Sequence, residues 1–557
     1  MAKYYYLLLL FVALTVLIFL ILEKRNKRRL LLKIKREWQE VSVVNNQKNE
    51  NGLMKASMKI GAFTKAPTNI DRRTWEDLDL FKVFQKINHT YSTVGEEFLY
   101  YQLRTLKVKE TDFEQLEARV AYFEKNPVVR EQVQYHFASL GKINTNHSYL
   151  YFEPEKTKSL TEKFDFTFLG LLPVASLVLI FFAKELGIGL LIGSMMLNTI
   201  LYLVYKAKLE VELTSMSYLI RALSLAKKLT TYDIPDQNKL KTAMTDLQKV
   251  LKWGVFFRTK NGSEAEMILE MFISIFLLPF VSFKVVIGLL QKQQQKLWLT
   301  WQTLGEIEAA ISVLNYRENQ AIKWCAPQFV ATEILKGEGV DHPLIENPVG
   351  NPVFAAKPIL ITGSNASGKS TYIKSVAINC ILAQTLHMAL ADSLEMKPGR
   401  VVTSMGIVDN LDDGDSYFMV EIKSLKRLLT ESKEQAFTYC FIDEILRGTN
   451  TIERISASSS MIQWLSKQHC LCFIATHDIE LATILGETCE NIYFSEEVDE
   501  AQGFYFDYEL KHGINTKRNA LKLLRHLDFP SDLVASAENE LAYFEAQHTW
   551  RVLPNEE

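Results

Sequence analysis

The chain has 557 residues, with 63 Lys and Arg against 65 Asp and Glu and a formal charge of −2. That length calls for two or three folded units rather than one core, and the balanced charge excludes a general basic field that would draw the whole protein to nucleic acid. Hydrophobic residues make up 48%, and the apolar excess is concentrated in a few runs.

The first run covers residues 4–22 (YYYLLLLFVALTVLIFLIL). At about 1.5 Å per residue it is long enough to span a bilayer. The basic cluster Lys24, Arg25, Lys27, Arg28, Arg29, Lys33, Lys35 and Arg36 follows it. A signal peptide carries its charge before the run and a small-residue cleavage site after it. The order here predicts an uncleaved anchor over 1–22, with the N-terminus outside and the rest of the chain returned to the cytoplasm. Residues 23–69 read as a basic juxtamembrane linker or helical stalk. The basic stretch itself fits positive-inside charge or anionic lipid better than DNA.

Over 70–163 the pattern is helical. Leu78, Phe81, Phe84 and Ile87 recur at helical spacing, with Thr74 expected as the cap and Asp77 as a first-turn acid. A second helix is expected from near Ser92, carrying Phe98, Leu99 and Leu103. Residues 164–205 form the next apolar block, which Lys184 and Glu185 split into 166–183 and 186–204. Gly187, Gly189 and Gly193 favour a transmembrane hairpin with Lys163, Lys206 and Lys208 on the cytoplasmic side; a buried hairpin in a soluble core is the alternative. Residues 206–335 continue the helical pattern. Within them Met267–Leu290 is apolar but carries Glu270 and Lys284. One more single crossing would strand the remaining chain outside, so this block is expected to be a buried helix.

Gly337, Gly339, Pro343, Pro348, Gly350, Pro352 and Pro358 then mark a boundary. Beyond it short apolar runs alternate with helical patterns, the signature of an α/β unit over 336–535, with 536–557 left as a tail. The six cysteines, Cys325, Cys380, Cys440, Cys470, Cys472 and Cys489, include no CxxC pair. They read as buried thiols in a reducing compartment, not as a disulfide or zinc framework.

The chemistry is concentrated at three strand ends. Ile359–Thr362 leads into Gly363, Ser364, Asn365, Ala366, Ser367, Gly368, Lys369 and Ser370, then Thr371 and a helix. This is GxxxxGK[ST] in the strand–loop–helix setting the motif needs, where backbone N–H groups and a helix N-terminus close on phosphates. Lys369 is expected on the β- and γ-phosphates of ATP, and the Ser370 hydroxyl on Mg²⁺. Residues 437–442 (FTYCFI) form a second strand ending in Asp443 and Glu444, a Walker B pattern. Asp443 would serve the metal, and Glu444 would polarise the attacking water. Residues 470–475 (CLCFIA) end in Thr476, His477 and Asp478, which places His477 as a switch sensing the γ-phosphate. Between the first two motifs, Ser416 follows an acidic stretch and is placed to cap a helix carrying Phe418, Ile422 and Leu425.

Taken in order, ITGSNASGKST, DGDSYFMVEI, FIDEILRGTN and ATHD resemble the MutS family of mismatch-repair ATPases, a branch of the ABC-type ATPases. The likeness covers about Lys336 to Phe529. TWEDLDLFKVFQKINHTYSTVGEEFLYYQLR also looks like the family's core and lever helices, and FDYELKHGINTKRNALKLLR like its end segment. The resemblance implies a fold of α plus α/β class: an all-helical core and lever region, here with transmembrane helices, followed by a P-loop ABC-type ATPase domain. It further implies a homodimer with composite sites. Asn365, Gly368, Lys369 and Ser370 would bind nucleotide and Mg²⁺, with Asp443 as the metal-side acid, Glu444 as the catalytic base and His477 as the switch. Ser416 would reach the γ-phosphate held by the partner, and Arg447 to Asn450 would form the seam loop.

Two departures from the family bear on its substrate. Only residues 23–69 separate the first apolar run from the core-like helices, leaving no room there for a mismatch-reading domain. The family's Phe-x-Glu wedge is matched only at Phe494–Glu496, after the switch, where it reads as a strand end. The expected function is ATP hydrolysis at the inner membrane, multi-pass, with the ATPase domain cytoplasmic and coupled by resemblance to DNA binding and repair. A membrane-bound mechanochemical ATPase acting on protein partners, or an ABC-type transport ATPase, are the alternatives.

Overall fold

The computed structural model describes residues 21, 24–38, 50–66, 69–143, 147–152, 166–257, 273–364, 367–405, 417–433, 436–499, 503–514, 521, 524–525 and 527–552. The first apolar run therefore lies outside the described residues, apart from Ile21. The chain divides into two compact units. The first comprises Met1–Thr68, Phe84–Thr105 and Thr111–Ile322, and the second Asn69–Val83, Leu106–Glu110 and Lys323–Glu557.

The first unit is helical. The stretch read as linker or stalk is helical over 24–37 and at Glu50–Thr64. It is packed into the unit rather than free: Ile34, Leu53 and Ile60 are buried, and Arg130 stacks 3.6 Å over the Trp38 ring. Helix α1 (Thr93–Leu103) begins where expected, with the Ser92 hydroxyl accepting from Gly95 N at 3.2 Å. It lies along a long helix, Gln294–Arg317, so closely that a Cβ on Gly305 would meet Phe98 Cβ at 2.6 Å. The two helices are joined by Glu308. Its carboxylate accepts from Tyr91 N at 2.6 Å, Ser92 N at 3.0 Å and the Ser92 hydroxyl. Burial pushes this carboxyl up to about 7, although the Ser92 hydroxyl and the Tyr91 N–H favour its anion.

The apolar block folds as α2 (Thr167–Leu179) and α3 (Lys184–Lys208). Lys184 and Glu185 open α3 rather than forming a loop. By length and composition one described helix, α3, is fit to cross a bilayer; its apolar window has a mean hydropathy of 1.8 and is 22% buried. With 13 residues, α2 is about 20 Å long, short of a hydrocarbon core of about 30 Å. The sequence predicts two spans joined by a very short turn; among the described residues only the second helix has the length. The block at 267–290 is described from residue 273. It forms α4 (Leu278–Lys292), whose Phe280, Phe283, Val286, Ile287 and Leu290 are fully buried. This agrees with its reading as a buried helix.

The second unit is built on a six-stranded sheet. Its strands are β1 (Ile359–Thr362), β2 (Arg400–Ser404), β3 (Thr438–Asp443), β4 (Cys470–Thr476), β5 (Glu490–Tyr493) and β6 (Lys511–His512), in the spatial order β6-β5-β1-β4-β3-β2. All neighbouring pairs are parallel except β6 with β5. Parallel strands flanked by helices are buried on both faces: every residue of β1 and β4 is buried. Helices α5 (Lys369–Leu386), α6 (Tyr417–Ser432) and α7 (Thr451–Leu465) belong to this unit. Cys440, Cys470 and Cys472 lie on adjacent strands and pack among Leu425, Leu428, Ile462 and Leu465. All six cysteines are free thiols, five of them buried.

Residues 69–83 belong to this second unit although they precede most of the helical chain. Asp71, not Thr74, caps the short helix Arg72–Asp77, accepting from Thr74 N at 3.0 Å. Asp77 is its last residue rather than a first-turn acid. The reason is tertiary. Asp77 accepts from the Thr403 hydroxyl at 2.8 Å and Met405 N at 3.0 Å, and the Thr74 hydroxyl accepts from Thr403 N at 3.2 Å. These bonds dock the segment on the end of β2. Burial raises the Asp77 carboxyl against the pull of Arg73.

Candidate nucleotide site

The site gathers at the carboxyl ends of β1, β3 and β4, where open α/β sheets bind ligands. Two glycines permit the loop after β1. Gly363 has φ +146°, and a Cβ there would lie 2.5 Å from Phe494 O; Gly368 has φ +108° beside the Tyr508 ring. The Ser367 hydroxyl donates to Ser364 O at 2.9 Å and tightens the turn. Lys369 opens α5 and donates to Gly363 O and Ser364 O, both at 2.7 Å. An ammonium tethered to loop carbonyls stands where phosphate oxygens would be cradled.

A cavity of about 550 Å³ is lined by Ser364, Gly368, Lys369, Ser370 and Thr371 from this loop, and by Asp443, Glu444 and Arg447 from the end of β3. The structure thus brings the two separate acids of the Walker B pattern to the loop. Ser370 and Asp443 offer oxygen donors facing one cavity, the ligand class that suits Mg²⁺. His477, just beyond β4, lies with Nε2 3.0 Å from Glu444 Oε1 and 3.5 Å from Lys369 Nζ. Burial holds its pKa below the ordinary imidazole value. The nearby charges of Lys369 and Arg447 add to this, while the Gly363 backbone and Asp443 pull the other way. Both contacts fall on Nε2, so the tautomer of the neutral ring selects one of them: with a proton there it donates to Glu444, and without one it accepts from Lys369. Asn365, Ala366 and Ser416 lie outside the described residues.

Several residues of the site carry no motif. Arg454 of α7 holds Asp478 by two bonds of 2.8 and 2.6 Å, fixing the turn that presents His477. Asn351 clamps the far wall, donating to Tyr508 O at 2.8 Å and accepting from Leu510 N at 2.8 Å. Val340, His342, Ile345, Val349 and Tyr508 give the cavity an apolar and aromatic end suited to a nucleobase. Phe494, the one Phe-x-Glu match, donates its N–H to Thr362 O at 3.0 Å and packs on Tyr372, with ring centroids 5.4 Å apart. It is a floor of the phosphate loop.

The site therefore has a loop and lysine for phosphates, an acid for a metal, and a second acid with a histidine at the reacting end. Residues 359–545 match the family model for MutS domain V, reaching into the segment read as a tail. This part of the chain is a MutS-family, ABC-type ATP-hydrolysing domain, whose chemistry implies ATP with Mg²⁺.

Proposed function

We propose that the chain is a membrane-anchored MutS-type ATPase that closes as a homodimer on DNA and hydrolyses ATP in composite sites, with the ATPase domain on the cytoplasmic face of the inner membrane. The observation that carries the membrane part is the inverted polarity of the α2–α3 hairpin. Its buried residues are small or polar: Gly170, Pro173 and Ser176 on α2, and Gly187, Ser194 and Asn198 on α3, with Tyr202 at the base. Its exposed residues are large and apolar, among them Phe168 at 76%, Phe181 at 89%, Phe182 at 84% and Met196 at 64%. Asn198 is fully buried and donates to Leu169 O at 2.9 Å and Ile275 O at 2.8 Å. Small residues at contacts and a polar residue whose amide N–H groups bond backbone carbonyls of neighbouring segments are how helices pack in lipid.

The DNA part rests on the family resemblance. The near-neutral chain charge supports, as the second reading, a clamp that closes on a protein partner. One experiment decides between them. Purified protein in detergent is titrated with duplex, mismatched and branched DNA, with and without ATP, across a salt series. Binding that shifts with ATP in the wild type and not in Lys369→Ala supports the DNA clamp. Weak binding indifferent to ATP sinks it and leaves the protein-partner reading.

A further inference from the structure

Arg447 lines the nucleotide cavity and is the group most tightly engaged with Glu444, the acid proposed as the base. Its guanidinium grips Glu444 with two bonds, Nη2 to Oε1 at 2.6 Å and Nε to Oε2. The same residue is tied elsewhere through its backbone: Arg447 N donates to Glu421 Oε1 at 3.1 Å. Glu421 sits near the start of α6, is 3% exposed, and has its other oxygen, Oε2, buried with no hydrogen-bond partner. Phe418, one turn earlier, fills the space beside Gly448, where a Cβ would meet its Cδ2 at 2.9 Å. The segment after β3 is thus pinned to the first turns of α6 at two points. It is also strained, since Glu444 and Leu446 have φ of +62° and +57°. Side-chain-bearing residues hold such angles only where the surroundings impose them.

We propose that Arg447 is a positioning residue that holds Glu444 in an occupied, charge-paired pose, and that movement of the start of α6, transmitted through Glu421, releases it. This rests on the assignment of Glu444 as the base. While the fork–fork pair stands, the guanidinium engages both carboxylate oxygens, with His477 Nε2 also 3.0 Å from Oε1, and the paired carboxylate is a weaker base toward water. A shift of the first turn of α6, which begins one residue after Ser416, moves the Glu421 carboxylate and draws Arg447 N with it. The guanidinium then leaves Glu444. The freed carboxylate accepts the proton of the attacking water as its oxygen bonds to the γ-phosphorus and the bond to the β-phosphate oxygen breaks, releasing ADP. The buried, unpartnered oxygen of Glu421 makes the linkage easy to shift, because its carboxylate can rotate onto another donor.

The test is single-turnover ATP hydrolysis by the full chain in detergent, comparing wild type with Arg447→Ala, Arg447→Lys, Glu421→Ala and Glu444→Gln. Nucleotide affinity and Tm of each variant separate misfolding from mechanism. Arg447→Ala and Glu421→Ala are expected to hydrolyse about tenfold faster than wild type. Arg447→Lys, which keeps the charge beside Glu444, is expected to stay near the wild-type rate. A fall of Arg447→Ala toward the Glu444→Gln rate overturns the proposal, as does an equal rise in Arg447→Lys. If Arg447→Ala does not fold, the same criteria apply to Glu421→Ala and Arg447→Lys. Wild type hydrolysing no faster than Glu444→Gln removes instead the assignment of Glu444 on which the proposal stands.

Discussion

The two units place polarity in opposite ways. In the ATPase unit the central strands β1 and β4 are buried along their whole length, and the charged groups stand at or beyond the strand ends: Lys369, Asp443, Glu444 and His477 at the rim of the sheet. In the helical unit two polar side chains stand in the interior, and the hairpin turns large apolar ones outward. Glu308 and Asn198 are buried, while Phe168, Phe181 and Ile192 face outward. The first arrangement serves chemistry, because rim groups meet a ligand without being shut away from it. The second suits a protein whose surroundings are apolar along part of its surface. Changes at the rim should therefore alter rates and leave stability intact, while changes in the helical unit should alter stability or location and leave the chemistry alone.

The sharpest break is at Glu444. Glu444→Gln keeps the shape of the rim and removes the carboxylate proposed as the base, so hydrolysis should fall by about 10²–10⁴-fold with ATP affinity and Tm nearly unchanged. A filter-binding measurement beside a phosphate-release assay checks it. A parallel loss of binding would mean that Glu444 shapes the site rather than acting in it. The counterpart in the hairpin is Ile192→Lys, at a residue that is 54% exposed. Facing lipid, a lysine there costs about 2.5–3.5 kcal/mol of insertion; facing water it costs less than about 0.5 kcal/mol. Lys184→Cys at the turn, labelled in intact cells with an impermeant maleimide, reads the difference. Undiminished labelling in the Ile192→Lys background would deny the lipid surface.

The same contrast explains what the sequence made legible. The phosphate loop and the acids after β3 follow the chain order of strand, loop and helix, so local pattern was enough to place Ser364, Gly368, Lys369, Ser370, Thr371, Asp443 and Glu444 around one cavity. Arg454, Asn351 and Tyr508 carry no motif, because each is held by a partner distant in sequence and none has a spacing rule; His342 faces the cavity without belonging to any motif. In the helical unit, periodicity found the helix after Ser92, whose cap is local. In residues 69–83, which belong to the ATPase unit, it missed Asp71 as the cap of Arg72–Asp77, because Thr74 and Asp77 are bound to the end of β2, more than three hundred residues away. The polar stretch before residue 66 looked like linker because its buried positions, Ile34, Leu53 and Ile60, are too sparse to show as a stripe.

Glu308 tests the buried polar interior. Its carboxyl is raised from 4.5 to about 7, so the folded state holds the proton more tightly than the unfolded chain. The stability it contributes is complete below about pH 4.5 and is lost as pH rises through 7, by at most about 3 kcal/mol. His89 and His136, lowered to about 4 by burial, slope the other way, losing stability as pH falls from 6.5 toward 4. The measurement is therefore the difference in unfolding free energy between wild type and Glu308→Gln. It should move in favour of the variant as pH rises from 4.5 to 7.5. A flat difference would mean that the bonds from Tyr91 and Ser92 hold Glu308 as an anion throughout.

The smallest expected effect compares one substitution in two settings within the helical unit. Gly305→Ala places a methyl 2.6 Å from Phe98 Cβ, and that atom is fixed to the α1 backbone and cannot swing aside. The two helices must part, at a cost of about 1–3 kcal/mol. Gly189→Ala, in α3, meets nothing within 4 Å, and by helix propensity alone it should gain up to about 1 kcal/mol. Thermal unfolding of the full chain in detergent gives both values. Opposite signs would establish that Gly305 is kept for close approach, while Gly189 points to a surface with room for a side chain. If Gly189→Ala destabilised the protein as much as Gly305→Ala, α3 would have a close neighbour on that face, and the outward-facing apolar surface would be a contact with another helix rather than with lipid.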